Sequence, residues 1–365
     1  MGLHLLVSLI ITLIIASTVN CCVPADRDAL FAFKAAVNEP YLSIFDSWTG
    51  TDCCTNWYGV SCDPTTGRVT DITLRGESED PILEKAGRTG FMTGSLSPSI
   101  CKLDRLTTLV VADWKAISGQ IPACITSLPN LRILDLVGNR LTGAIPSDIG
   151  KLSKLTVLNF ADNQISGALP PSIVNLASLM HLDLRNNHIS GPIPDDIGKL
   201  TMMSRALLSK NQLSGSIPGS VANIYRLADL DLSTNQISGP IPAQLGTMPV
   251  LSTLYLDSNR ISGEIPATLL GNTGLNMVNL SRNNLGGSIP DVFGPKTYFT
   301  ALDLSFNGFK GAIPKSISSA WYIGHLDLSH NHLCGPIPSG SAFDHLEESS
   351  FSGNDCLCGS PLKTC

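Results

Sequence analysis

The chain has 365 residues and a formal net charge of −6, and it is 43% hydrophobic but only 15% charged. This apolar content is enough for a large core and argues against disorder. The chain has an acidic balance and no cluster of Lys or Arg, so we expect no nucleic-acid partner. Its 32 Gly and 23 Pro indicate turns at frequent intervals.

The first segment of the chain is apolar. Residues 3–19 contain no Asp, Glu, Lys or Arg and end in Ala16, Ser17 and Thr18, which is typical of a secretory signal peptide. Because no Lys or Arg precedes the apolar part, an uncleaved anchor is the alternative. We predict a signal peptide over 1–21, no membrane span in the mature chain, and secretion to the extracellular space or cell wall.

Eleven cysteines lie mainly near the two ends of the chain. In an oxidising compartment such clusters are typical of disulfide bridges. None forms a C-x-x-C pair, so zinc binding and thioredoxin-like chemistry have no support. The odd number leaves one cysteine over, which we assign to Cys21. The other ten are Cys22, Cys53, Cys54, Cys62, Cys101, Cys124, Cys334, Cys356, Cys358 and Cys365.

Most of the chain repeats with a period of 24 residues, following the template L-x-x-L-x-L-x-x-N-x-L-x-G-x-I-P. Alternate leucines of a short strand face one side, and one coil alone cannot bury them, so the coils must stack. The Asn amide has donors and acceptors for backbone groups of its own and the adjacent coil. The repeated asparagines are Asn139, Asn163, Asn187, Asn211, Asn235, Asn259, Asn283, Asn307 and Asn331.

The repeat predicts an α/β solenoid. We expect a curved, right-handed leucine-rich-repeat superhelix with a parallel concave sheet, convex 3-10 or helical turns and disulfide-stapled caps. We place an N-terminal cap at 22–66, ten or eleven repeats at 67–338 and a C-terminal cap at 339–365. An amphipathic helix from Asp26 through Val37 is expected to cover the first coil.

The G-x-I-P extension resembles the plant-specific class of leucine-rich repeats. The chain resembles short, kinase-free members of this class, namely polygalacturonase inhibitors and the DNA-damage-repair/toleration type. The run from Phe45 to Cys54 and the charged insertion at 75–91 make it more similar to the second type. The resemblance implies the bridges Cys22–Cys53, Cys54–Cys62, Cys334–Cys356 and Cys358–Cys365. Cys101 and Cys124 lie in adjacent coils on the convex side and are candidates for a fifth bridge.

The pattern breaks at three places. Residues 75–91 are expected to form a surface loop, which is either solvated or used for recognition. The repeat around Leu109 has one extra residue and places Lys115 in the Asn slot, and Ala206 replaces a core leucine. These departures are either tolerated drift or local curvature shaped for a partner.

Two groups of residues resemble chemical sites. His325, Asp327 and Ser329 resemble a catalytic triad, but strand residues two apart lie ~7 Å apart, which is too far for its hydrogen bonds. His325, His330, His332 and Cys334 resemble metal ligands, but Cys334 belongs to the cap and His332 to a turn. We therefore expect that the protein is not an enzyme and that it has no cofactor and no metal site.

The central position of L-x-L forms a column on the concave face. An acidic column suits a basic partner, although L-D-L-S occurs in this repeat class whatever the partner. Aromatic and Arg side chains on the same face, including Trp114 and Arg282, are of the types that dominate interfaces. We predict partner contacts at Asp135, Asp183, Arg185, Asp231, Tyr255, Asp303, Phe306 and Asp327.

One glycosylation sequon, Asn279-Leu-Ser281, lies in this column, and a glycan at Asn279 would cover the middle-to-late repeats. We expect a protein ligand: a pathogen enzyme such as polygalacturonase, as the resemblance implies, or the ectodomain of a membrane receptor. The alternative is a structural or ice- and water-ordering wall protein. The sequence carries no signal for the oligomeric state.

Overall fold

The computed structural model describes residues 22–77, 79–340, 343 and 345–365. The predicted signal peptide at 1–21, with Cys21, lies outside them. Each regular coil contributes a strand to one long sheet, here named the concave sheet, then a strand to a second sheet, and in most coils a short helical turn. The predicted α/β solenoid is confirmed.

The concave sheet is built from the L-x-L segments. It has 12 strands, which are parallel apart from the antiparallel first pair. Equivalent residues of adjacent coils pair directly, as Leu158 does with Leu182. The strands are Val60–Cys62, Val69–Arg75, Thr108–Ala112, Ile133–Asp135, Val157–Asn159, His181–Asp183, Arg205–Leu207, Asp229–Asp231, Thr253–Tyr255, Met277–Asn279, Ala301–Asp303 and Leu326–Asp327.

The second sheet follows the Asn slot in each coil and has 13 strands. Its strands are Val37–Asn38, Met92–Ser95, Lys115–Gln120, Arg140–Gly143, Gln164–Ala168, His188–Pro192, Gln212–Gly215, Gln236–Gly239, Arg260–Gly263, Asn284–Gly287, Gly308–Gly311, His332–Pro336 and Cys356–Cys358. A third sheet has two parallel strands, Tyr298–Phe299 and Tyr322–Ile323. The glycine of each G-x-I-P motif has a positive φ, 81° at Gly167, which explains why this slot needs glycine.

Short helices form the convex side, and the leucine and isoleucine slots fill the space between this side and the sheets. The 3-10 helices are Pro98–Lys102, Ala123–Ser127, Ile149–Lys151, Pro171–Asn175, Ile197–Lys199, Gly219–Asn223, Ala243–Thr247, Lys315–Ser319 and Glu348–Phe351. The α-helices are Pro24–Ala35, Pro81–Ala86 and Ala267–Leu270. Nowhere in the described part of the chain is a helix long and apolar enough to cross a bilayer.

The asparagine ladder joins the coils. The Asn163 amide nitrogen donates to the carbonyl of Leu136 in the preceding coil and to those of Phe160 and Ala161 in its own coil, at 3.0–3.2 Å. Its Oδ1 accepts from the N–H of Leu141 at 2.9 Å. One side chain therefore satisfies buried backbone groups on both sides of a coil boundary.

The ladder changes at its two ends. Oδ1 of Asn139 is buried without a hydrogen-bond partner among the described residues. The coil before it is the irregular one, where an extra residue precedes Ile117. At the other end Asn354, 23 residues after Asn331, continues the ladder by bonding the carbonyl of Leu328 at 3.0 Å. The strict period did not reveal this last member because its spacing is one residue shorter.

The N-terminal helix runs over Pro24–Ala35, so it ends before Val37, contrary to the sequence prediction. Val37 instead begins a strand of the second sheet. Asp26 is buried and accepts two hydrogen bonds from Arg68, at 2.9 and 3.0 Å. It also accepts from the N–H of Val69 at 2.9 Å, which fixes the helix to the first coil.

Five disulfides join the ten described cysteines in the pairs that the sequence and the resemblance implied. Two lie in each cap, and Cys101–Cys124 links adjacent 3-10 helices on the convex side. A bridge between neighbouring coils removes conformational freedom from the unfolded chain there.

The insertion at 75–91 is not a plain surface loop. It contains the helix Pro81–Ala86, which begins after Asp80 and buries Leu83. The Asp80 side chain accepts from the N–H of Ile82 and from the Tyr58 hydroxyl, both at 2.9 Å. An N-cap and a contact with the N-terminal cap therefore give this segment a fixed shape.

We expect Asn163→Ala to lower the free energy of unfolding by about 2–4 kcal/mol, because it leaves several buried backbone groups unsatisfied. Asn139→Ala is the matched control, since its Oδ1 has no partner to lose, and should cost about 1 kcal/mol less. Denaturant unfolding of both variants measures the difference. Equal losses would contradict the role given to Oδ1.

Candidate functional site

The concave sheet brings the predicted column into register. Asp231 pairs with Tyr255, and Tyr255 pairs with Asn279. Asn279 then pairs with Asp303, and Asp303 with Asp327. Because neighbouring strands lie about 4.8 Å apart, these side chains form one continuous row of half-buried groups.

Two carboxylates of the early coils that the sequence placed in the column are neutralised within the chain. Asp135 is buried, and its carboxylate forms an ion pair at 2.7 Å with Arg75, which lies two coils away. Asp135 is therefore not an exposed member of the column, contrary to the prediction. The Arg185 guanidinium donates three hydrogen bonds to the Asp183 carboxylate, at 2.8–3.2 Å. These predicted contact residues already have charged partners.

Several carboxylates on the concave face of the later coils have no cationic partner among the described residues. Within the described residues no ion pair reaches Asp231, Asp257, Asp303 or Asp327. Asp231 and Asp303 each accept a hydrogen bond at 2.7 Å from the serine hydroxyl two residues later. Such bonds orient the carboxylates without neutralising their charge, so this half of the concave face remains acidic.

Tyr255 is the one aromatic residue in this row. Its hydroxyl donates to Sδ of Met277 at 3.7 Å. Burial raises the pKa of Tyr255 first, and the negative charges of Asp231, Asp229 and Asp257 raise it further. The phenol therefore stays neutral in a negative field.

Asp257 was missed as a site residue. Burial raises its pKa, and the like charges of Asp231 and Asp303 add to the shift. A signal for it was present in the sequence, because the equivalent slot holds serine in most neighbouring coils. These serines are Ser209, Ser233, Ser281, Ser305 and Ser329.

Phe306 lies beside the row, in the slot just before the Asn ladder. Its ring stacks on that of His330 with centroids 4.1 Å apart, and the Arg282 guanidinium lies 4.1 Å from the Phe306 centroid. All three residues are exposed and have φ of 52–54°. The left-handed conformation costs roughly 1–2 kcal/mol for a residue with a Cβ, and the stacking offsets part of that cost.

The prediction that Trp114 lies on the interaction face is wrong. Trp114 is fully buried, and its indole N–H donates to the carbonyl of Leu74 at 3.0 Å. The Trp114 ring lies so close to Gly90 that a Cβ on residue 90 would come within 2.6 Å of the ring. It belongs to the core under the insertion.

Side chains two residues apart can hydrogen bond at the end of a concave strand, contrary to the sequence prediction. Asp303 and Ser305 are two residues apart, yet their side chains hydrogen bond, because the chain bends after the strand. At Asp327 only the backbone N–H of Ser329 donates, at 2.9 Å, and Ser329 is buried. Two histidines of the suspected metal group are engaged separately: His330 stacks on Phe306, and His332 lies 3.2 Å from Asp355.

Cysteines give the one grouping of three metal-ligating side chains found in the described ranges, Cys53, Cys54 and Cys62. All three are in disulfides. Asn279 is half-buried, and its Oδ1 accepts from the Ser281 hydroxyl at 2.7 Å, so the two polar side chains of the sequon contact each other.

Comparison with known families agrees with this architecture. The leucine rich repeat N-terminal domain matches residues 23–63, the leucine-rich repeat region matches 122–232, and the Leucine Rich Repeat matches 226–248, 250–272, 274–295 and 323–342. The chain is a leucine-rich repeat protein. It is 61% identical over 128 residues to the DNA damage-repair/toleration protein DRT100 of Arabidopsis thaliana, covering 35% of this chain and 34% of that one.

A polygalacturonase inhibitor of Vitis vinifera is 33% identical over 116 residues, covering 32% of this leucine-rich repeat chain and 30% of the inhibitor. The matched segments thus span about a third of either relative. Among solved structures, the ectodomain of the Arabidopsis thaliana receptor kinase GASSHO1/SCHENGEN3, in complex with CASPARIAN STRIP INTEGRITY FACTOR 2, has a TM-score of 0.76 and 30% identity, covering 91% of this chain and 38% of that one. A plant ice-binding protein has a TM-score of 0.70 and 28% identity, covering 94% and 98%.

We expect Asp257→Ser to stabilise the leucine-rich repeat fold at neutral pH, raising Tm by about 1–3 °C. The pKa of Asp257 is raised above 3.8, so the folded chain binds this proton more tightly than the unfolded chain. The contribution of Asp257 to the free energy of unfolding is therefore favourable below pH 3.8 and is lost as the pH rises through the raised pKa.

Thermal unfolding at a series of pH values tests this, and the gain should vanish in acid. Asp183→Ser is the control, because its carboxylate is paired with Arg185 and its removal should give no gain. A gain at Asp257 that is independent of pH would contradict the electrostatic cause.

Proposed function

We propose that the protein is a secreted recognition protein of the plant cell wall space, which binds a basic segment of a protein or peptide on its concave sheet. The site, here named the acidic site, consists of Asp231, Tyr255, Asp257 and Asp303. The observation that carries the proposal is the set of carboxylates around Tyr255 that have no ion pair within the described residues. Its chemistry favours binding over catalysis.

A ligand ammonium or guanidinium group complements the acidic site in two ways. The carboxylates attract the cation, and the face of Tyr255 adds a cation–π contact when the cation is desolvated. The charge of Asp257 is held unfavourably in the free protein, and a bound cation relieves it. Because binding favours the charged carboxylate, affinity should fall as the medium is acidified.

Two neighbours extend this surface. Asp327 continues the row toward the C-terminal cap, and the stack of Arg282, Phe306 and His330 borders it. Phe306 offers the apolar contact area that interface centres use, while Arg185 lies on the earlier, neutralised half. We assign the partner contact to the later half and leave Asp135 out.

The relatives support a binding role. The chain is similar to a polygalacturonase inhibitor and to a receptor ectodomain in complex with a partner, over the segments given above. The first version of the proposal is therefore inhibition of a pathogen polygalacturonase. The second is association with a membrane receptor's ectodomain.

The glycan predicted at Asn279 bears directly on this site, because Asn279 lies between Tyr255 and Asp303 in the row. We propose that the binding form has an unmodified Asn279. A glycan attached there would cover the acidic site and leave the earlier coils accessible.

Affinity capture from plant extracellular fluid, together with titration of purified fungal polygalacturonases, tests the proposal. We expect the double variant Asp231→Asn/Asp257→Ser to lose the captured ligand or the inhibition by at least tenfold, because two charges facing the ligand are gone. The control Asp183→Asn removes an already paired carboxylate from the same row and should bind like the wild type.

Equal losses in both variants would contradict a site centred on Tyr255. Capture of a receptor ectodomain with unchanged polygalacturonase activity selects the second version. If neither variant changes the binding of any captured protein, the acidic site is not the interface.

A second candidate function is ice binding, favoured by a row of hydroxyl side chains on the second sheet. The row occupies one slot in seven consecutive coils, half-exposed or exposed in each. The similarity to a plant ice-binding protein covers 98% of that protein. The row consists of Ser118, Thr142, Ser166, Ser190, Ser214, Ser238 and Ser262.

Thermal hysteresis of the purified protein tests this candidate. If the row binds ice, Ser190→Lys/Ser214→Lys should abolish hysteresis, because two long charged side chains interrupt the row. The acidic-site variant should retain it. Absence of hysteresis in the wild type excludes the candidate.

A further inference from the structure

Three exposed aromatic residues near the C-terminal end lie outside the acidic site. Tyr298, Trp321 and Tyr322, here named the aromatic patch, are 45%, 79% and 43% exposed. The rings of Tyr298 and Tyr322 stack with centroids 5.2 Å apart. The patch lies where the chain approaches the concave sheet, before Leu302 and Leu326 of the last two concave strands.

The backbone holds the aromatic patch in place. Tyr298 and Tyr322 are paired in the two-stranded parallel sheet, which the other coils lack in the described part of the chain. The N–H groups of Trp321 and Tyr322 both point to the carbonyl of Thr297, at 3.0 and 3.4 Å. Trp321 is thus presented from an ordered segment.

The fold does not require aromatic side chains here. The slot of Trp321 is filled by Pro249, Thr273 and Thr297 in the three preceding coils, and each of these coils still contributes a strand to the concave sheet. Clustered exposed aromatic side chains are costly in water, and such patches mark binding sites. The neighbouring segments 297–300 and 320–324 contain no Asp, Glu, Lys or Arg.

We propose that the aromatic patch binds a neutral β-linked glucan, such as a cellulose-type chain. In a β-linked glucopyranose the hydroxyl groups are equatorial, so the two faces of the ring present C–H groups. The negative face of an aromatic ring attracts these groups, and Trp321 offers the largest free face. The phenol hydroxyls of Tyr298 and Tyr322 are neutral donors and acceptors for the sugar hydroxyls.

Charge decides between polysaccharide classes. The chain carries a net charge of −6, which disfavours binding of an anionic polysaccharide such as polygalacturonate. A neutral glucan meets no such repulsion and needs no charged group, in agreement with the uncharged segments that hold the patch. This inference does not depend on the acidic site, which has the opposite character.

Tryptophan fluorescence gives a direct test. Of the four tryptophans, Trp48, Trp57 and Trp114 are buried, so a ligand at the surface changes mainly the emission of Trp321. We expect titration with cellohexaose to shift the emission saturably. Sedimentation with microcrystalline cellulose should retain the wild-type protein, and Trp321→Ala should weaken retention at least tenfold.

Tyr225→Ala is the matched control. Tyr225 is 53% exposed in the same slot four coils earlier, and no other ring packs on it among the described residues, so its loss should leave cellulose retention unchanged. Trp321→Phe keeps an aromatic face and should recover part of the retention.

Three results would overturn the proposal. They are unchanged emission with cellohexaose, equal retention of the wild type and Trp321→Ala, and polygalacturonate binding as strong as glucan binding. Loss of a captured protein partner in Trp321→Ala, with no effect on glucan retention, would assign the patch to a protein instead. None of these outcomes alters the acidic-site test, because its variants leave the aromatic patch intact.

Discussion

The solenoid depends on the hydrogen bonds of the asparagine ladder. Each coil turns sharply after its concave strand and leaves backbone groups buried between coils, where water does not reach them. The side chain of Asn163 satisfies such groups in the preceding coil and in its own coil at once. Because every regular coil uses the same bonds, neighbouring strands keep one spacing and one register. The acidic row is a consequence, since it aligns only when the register is fixed.

The same constraint explains where the structure departs from regularity. The coil with an extra residue fails to satisfy Oδ1 of Asn139, and it also carries the buried Trp114. The insertion at 75–91 follows the concave strand of the coil before it. Arg75, at the start of that insertion, neutralises Asp135 two coils away. The irregular region thus removes charge from the early part of the concave face. The later coils are regular and keep their carboxylates unpaired within the described residues.

Periodicity was sufficient to predict the concave strands, the ladder, the coil stacking and the members of the concave row. These features repeat, so a single template describes them all. The sequence analysis did not predict the second sheet, which forms after the Asn slot of each coil. Two further features were missed because each depends on one side chain reaching a particular neighbour. Arg75 crosses two coils to reach Asp135, and Trp114 turns inward because Gly90 leaves room for its ring. The repeat template gives the position of each residue in its coil, but it does not say which distant residue a side chain contacts.

In a repeat protein, a residue can be compared with those in the equivalent slots of other coils, and Asp257 differs from them. The equivalent slot holds serine in most neighbouring coils, so serine is the residue that the fold itself favours there. A half-buried carboxylate that interacts with the like charges of Asp231 and Asp303 is electrostatically less favourable than serine in the free protein. Phe306 also has a left-handed backbone, a conformation that the Asp162 and Asn186 of equivalent slots adopt at lower cost. Both residues border the half of the concave face where charge is unpaired. A residue that lowers stability relative to its own repeat, in a position where a ligand would reverse that cost, is better explained by binding than by folding.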